Sequence, residues 1–89
     1  MGLPNAAELL FKADLAIAIA DAIHRKHLTQ SRAAALAGID QPKISALING
    51  DTRGFSVDRL LKTLTRLGQD IEIRVRDAKT TRGRVNVAA

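Results

Sequence analysis

The chain has 89 residues, fourteen Lys and Arg against nine Asp and Glu (net charge +5), and no cysteine. That length allows one small domain with a single modest core. Lack of cysteine excludes a disulfide framework and a thiolate metal site and fits a reducing, cytoplasmic interior, and no run of about eighteen apolar residues is present to span a membrane.

Residues 1–7 lack the basic start and continuous apolar middle of a secretion signal. Apolar residues make up 46% of the chain, much of it alanine, and the only aromatics are Phe11 and Phe55. A core of Ala, Leu and Ile suits short helices packed closely, and its small size leaves room for support from a second subunit. The charge is uneven: from Asp40 onwards there are ten basic and six acidic residues, and from Arg74 onwards five against one. Such a half attracts a polyanion without choosing between DNA and RNA.

Residues 5–26 read as the longest helix, capped by Asn5, with Glu8 in its first turn and Arg25 and Lys26 in its last. Phe11, Leu15, Ala18, Ile19, Ala22 and Ile23 recur at helical spacing and form its buried stripe. Asp21 and Arg25 form an i,i+4 pair on the other face. Leu10 and Ile17 widen the apolar surface beyond what a two-layer core needs; the C-terminal segment, another subunit or more core are the candidates to cover them. His24 and His27 lie three apart near the helix end, and without a third ligand they read as surface residues.

Thr29 is a natural cap for a second helix over 30–37, whose Ala33, Ala34 and Ala37 give a small inner face. Gly38 ends it at positive φ, and Ile39 drops back into the core. Asp40 is expected to cap the third helix by accepting a backbone N–H, with Pro42 in the first turn, where its missing donor is harmless. Ile44, Leu47 and Ile48 face inwards, Gln41, Lys43, Ser45 and Ala46 lie on or near the exposed side, and Asn49-Gly50 stops the helix. Two helices this short cannot stand alone, and their crossing leaves the polar head of the second pointing outwards, as in a helix-turn-helix. A loop over 51–55 returns Phe55 to the core. Ser56 caps a fourth helix that ends at Gly68, with Val57, Leu60, Leu61, Leu64 and Leu67 buried and Arg59, Lys62 and Arg66 wet.

At Asp70 the period changes to two. Ile71, Ile73 and Val75 alternate with Glu72, Arg74 and Arg76, the pattern of a strand. A lone strand leaves its edges unpaired, so the expected partner is the same strand of a second copy, with a fold-back of residues 84–88 as the alternative. The small, basic and polar stretch after Lys79 reads as a flexible tail.

Gln30, Ala34, Gly38, Ile39, Gln41, Ile44, Ser45, Leu47, Asn49 and Gly50 stand where the lambda-repressor-like, Xre or Cro/C1, helix-turn-helix pattern has them, and residues 28–68 resemble that family. With the long first helix and the segment 67–75, the whole chain is similar to a narrower group, the small HigA-like antitoxins and related regulators. The resemblance implies a mostly α, lambda-repressor-like bundle of four to five helices with a C-terminal β-strand paired across a dimer. It divides the chain into a long helix packed on the domain (1–27), the helix-turn-helix core (28–68), a dimerising strand (69–77) carrying Ile71, Ile73 and Val75, and a basic tail (78–89). It further implies a homodimer that binds a palindromic operator in double-stranded DNA and represses its own operon, beside a HigB/RelE-like toxin that contacts the first helix or the apolar surface near it. No cofactor and no metal are implied.

In such a domain the first turn of the third helix reaches base edges in the major groove. Gln41 suits a bidentate pair with adenine, and Lys43 suits guanine or a phosphate. Thr52 matches a loop position that touches DNA in phage-repressor relatives, and Arg53 adds a base or backbone contact. Gln30 resembles the residue that contacts phosphate and braces the following Gln. Arg32, Ser45, Asn49 and Arg59 are further backbone candidates. Pro42 departs from the more usual Ser or Thr and removes one hydroxyl donor. Two rivals stay open, a protein-interaction module that neutralises a toxin with little DNA reading and an RNA binder, the latter weakened by the scarcity of stacking aromatics. An enzyme is least expected, because no nucleophile is paired with a base and no Gly-rich phosphate loop occurs.

Overall fold

A computed structural model describes residues 6–87. Among them are four helices, α1 (Ala6–Arg25), α2 (Gln30–Ala37), α3 (Gln41–Ile48) and α4 (Val57–Arg66). The expected Asn5 cap lies outside the described residues. Helix α1 is the beam of the fold, packing on both α3 and α4, while α2 packs on α3 and α4. The core is built from Leu15, Ile19 and Ile23 of α1, the alanines of α2, Ile44 and Leu47 of α3, and Phe55, Leu60, Leu64 and Leu67. Ala33 and Ala37 are fully buried. Their single methyl groups let α2 pack closely on α3.

Each junction has a local cause. Helix α1 ends when His27 turns to φ 53° and the Leu28 N–H reaches back to the Ile23 carbonyl (3.0 Å). Thr29 Oγ1 accepts the Arg32 N–H (3.0 Å), and Ser56 Oγ accepts the Arg59 N–H (3.1 Å), so both expected caps are in place. Gly38 sits at φ 71° with its N–H on the Ala34 carbonyl. An L side chain is strained there.

Long-range bonds then lock the ends together. Arg66 stays exposed, as expected of α4's wet face, yet it also donates to the Ala37 carbonyl (3.1 Å) beside the α2–α3 turn. Lys26 donates to the Leu67 carbonyl (2.8 Å), and Arg25 to Gln69 Oε1 (3.2 Å), tying the C-terminus of α1 to that of α4. Arg66 and Lys26 thereby satisfy carbonyls that a helix end leaves without intrahelical partners.

Three expectations are corrected. Asp40 stands at the N-cap of α3 but makes no side-chain cap bond. The second helical position is Pro42, which has no N–H, and the next N–H, that of Lys43, closes on the Asp40 backbone carbonyl (3.0 Å) instead. No strand forms among the described residues: the stretch expected to carry one has no regular structure, and Ile71, Ile73 and Val75 are exposed, the last two at 76% and 92%. A strand exists only through its hydrogen-bonded neighbour, and no other described segment supplies one. Among the described residues Leu10 and Ile17 find no cover, each remaining 66% exposed, which leaves another subunit of the three candidates. The tail also departs from a purely solvated end, for Val87 packs on the edge of the core, while Val85, still exposed, borders a groove shared with Ala7, Glu8 and Phe11.

Candidate nucleic-acid interface

The candidate side chains stand on four neighbouring pieces of the helix-turn-helix. Gln41 and Lys43 occupy the first turn of α3 and are exposed. Neither side chain bonds to another described residue. Burial of Ile44 and Leu47 on the opposite side holds them outwards, since a helix that buries one stripe must present the other. Ser45 is half-buried and Asn49 exposed; together with Gln41 they follow at i,i+4 spacing along one edge of α3.

Gln30, half-buried, opens α2, and exposed Arg32 stands one turn inside the Thr29 cap. The loop after α3 is set by the Gly50 N–H on the Leu47 carbonyl (3.0 Å) and the Asp51 N–H on the Ala46 carbonyl (2.9 Å). It continues as a turn in which the Thr52 carbonyl accepts the Phe55 N–H (3.1 Å).

Arg53 is not free. Its Nε donates to Asp51 Oδ1 (3.0 Å), its Nη2 to Asp51 Oδ2 (2.9 Å), and its backbone N–H to Oδ1 again (3.1 Å). The side-chain bonds from Arg53, followed by its backbone N–H, lower the Asp51 carboxyl from 3.8 to about 2, and the same contact raises the guanidinium. Arg53 therefore meets any anion in competition with a carboxylate already held in a two-point fork.

Arg59 is also engaged, its guanidinium 5.2 Å from the centre of the Phe55 ring. This stacking fixes a long cation at the start of α4 through the ring's negative face. Neither the Asp51–Arg53 fork nor the Phe55–Arg59 stack emerges from reading the residues singly. Their spacings, two and four apart, were the available signals.

The remaining charges sort in the same way. Lys12, Arg25, Lys62 and Arg74 pair with Glu8, Asp21, Asp58 and Glu72 at 3.8, 2.8, 3.0 and 2.9 Å. Lys26 and Arg66 serve helix-end carbonyls. Lys43 and Arg32 are thus the cations of residues 28–68 with no acidic, carbonyl or aromatic partner among the described residues, Arg59 having only the Phe55 ring. Among those residues no group of three or more His, Cys, Asp or Glu comes together, and no helix is long and apolar enough to cross a membrane.

Comparison with known proteins adds two findings. Residues 1–76 match the model of a family described as a helix-turn-helix domain. A solved structure named "Putative XRE Family Transcriptional Regulator" is similar over 97% of this chain and 99% of its own, with 45% identity and a TM-score of 0.87. No curated protein matches the chain.

Proposed function

The chain belongs to the XRE-type helix-turn-helix family, a family of DNA-binding transcriptional regulators rather than enzymes, and from that premise we propose that it is a sequence-specific autorepressor acting as a homodimer. The observation that carries this reading is the pair Gln41 and Lys43. They are exposed, their side chains without a partner among the described residues, and held outwards on the first turn of α3 by a fully buried Ile44. Bound in the major groove, that turn sets the Gln41 amide against an adenine and Lys43 against guanine or phosphate, with Thr52 and Arg53 at adjoining bases. Gln30, Arg32, Ser45, Asn49 and Arg59 then grip the backbone and fix the register.

One bidentate contact gives roughly 1–3 kcal/mol of discrimination, too little for a single subunit to find one site. Two subunits double the set and require a palindrome. In this reading the alternating segment carrying Ile71, Ile73 and Val75 pairs with its counterpart in a second copy, which supplies the neighbour that one chain lacks. The resemblance to HigA-like antitoxins adds a HigB/RelE-like toxin as a second partner, and that addition rests on the resemblance alone.

The test is fluorescence anisotropy with duplex from the protein's own promoter against a scrambled duplex, at about 150 mM salt, where nonspecific binding is weak. Tight binding confined to the promoter, reduced about tenfold or more by Gln41→Ala with the fold intact, is the expected result. Equal weak binding to both duplexes would remove autorepression and bring the protein-partner reading forward.

A further inference from the structure

Helix α1 is apolar almost all the way round. Besides the stripe it buries in the core, it carries a second row, Ala6, Leu10, Ala13, Ile17, Ala20 and His24, spaced alternately four and three residues apart. That is the spacing of a coiled-coil seam. Among the described residues little covers the row: Leu10 and Ile17 are each 66% exposed and Ala13 and Ala20 half-buried. A helix with two apolar faces belongs to an assembly rather than to a surface.

We propose that this seam pairs with the same seam of a second copy, antiparallel about a two-fold axis. The order of large and small residues is self-complementary in that arrangement. Aligning Ala13 with Ile17 of the second copy also sets Leu10 against its Ala20 and Ala6 against its His24. Each layer then joins a large side chain to a methyl group, the condition for two helices to pack without voids or clashes. A helix of this length is about 30 Å long and 10–12 Å wide, so the two seams alone cover roughly 600–700 Å² in total, and reaching the ~1,000 Å² of a specific interface takes the surface beside them as well. The groove beside the seam, lined by Ile17, Ala20, Leu47 and Ile48 among others, extends the contact onto α3. One adverse term marks the geometry: the two-fold brings half-buried Asp14 of both copies to the same wet edge, where like charges repel.

This face is separate from the segment 71–75 assigned above to strand pairing, and the two are separable by sedimentation equilibrium on the full chain. Ile17→Glu is expected to weaken self-association about tenfold or more, with the helical circular dichroism unchanged, because it places a charge in the seam. Ala20→Leu is expected to weaken it by setting leucine on leucine, and adding Leu10→Ala is expected to restore it. Asp14→Asn is expected to strengthen it. An unchanged mass for Ile17→Glu at every concentration overturns the proposal, and so does an Ala20→Leu chain that Leu10→Ala fails to rescue. Ile73→Glu serves as the control. Monomers from Ile73→Glu with no effect of Ile17→Glu would leave strand pairing standing and this seam fallen; the reverse pattern would do the opposite.

Discussion

At the scale of single residues, what matters in this protein is which side chains already have partners. A sequence lists Arg53, Arg59, Lys43 and Arg32 as four equivalent cations; the fold makes them different. Arg53 is forked on Asp51, Arg59 lies over Phe55, and the other two are open. The fork has a pH signature. Asp51 is lowered from 3.8 to about 2, so the folded state gains from the ionised carboxylate above the ordinary carboxylate range, and that gain is lost as pH falls from about 3.8 through about 2. Both groups are solvent-exposed, so this changes the loop more than global stability. A carboxyl-detected NMR titration is expected to place Asp51 well below the ordinary carboxylate range, at about 2. A midpoint in the ordinary range would show that the fork does not persist in solution.

At the scale of elements, the four helices rest on different kinds of ends. Helices α2 and α4 are capped by hydroxyls, while α3 begins on an aspartate whose carboxylate caps nothing. Thr29→Ala and Ser56→Ala are each expected to cost about 1 kcal/mol in urea unfolding. Asp40→Ala is expected to stay within about 0.5 kcal/mol, the range of an ordinary surface change. An Asp40→Ala loss equal to that of Thr29→Ala would mean that the cap bond forms in solution after all. The difference traces to Pro42, which removes the donor nearest to such a cap. The alternating segment after Asp70 shows the same dependence on partners from the other side. Its residues have strand preference, but a helix satisfies its own backbone and a strand does not.

At the scale of the molecule, the five described ion pairs and two carbonyl-bound cations engage seven of the fourteen Lys and Arg side chains that composition alone makes look available. If DNA binding runs through the helix-turn-helix, the salt dependence should follow the open cations. Replacing both Lys43 and Arg32 by alanine is expected to flatten the slope of log K against log salt by about two for each subunit bound. Replacing Lys62, which is tied to Asp58, is expected to leave it nearly unchanged. A large loss on Lys62→Ala would place the phosphate track along α4 instead. The basic residues beyond Arg74 give a further measurable contribution only if the C-terminal segment itself lies against DNA.

Local patterns alone were enough for the helices, their order and most of their boundaries, because hydroxyl caps, a positive-φ glycine and 3.6-residue periodicity act over one or two turns. Thr29, Gly38 and Ser56 do in the fold what their neighbours in sequence predict, and Phe55 returns to the core as the apolar pattern requires. The outward position of Gln41 and Lys43 was legible for the same reason, as the complement of a buried Ile44 and Leu47. Tertiary structure decided what depends on meetings between distant residues or on competition within a turn. Arg66 closing the Ala37 carbonyl, Lys26 closing that of Leu67, and Val87 folding back onto the core belong to the first kind. The unused Asp40 carboxylate and the captured Arg53 belong to the second. The apolar rows on α1 and at 71–75 lie at the boundary between the two: periodicity revealed them, but only the packed chain showed that its described residues leave them largely uncovered.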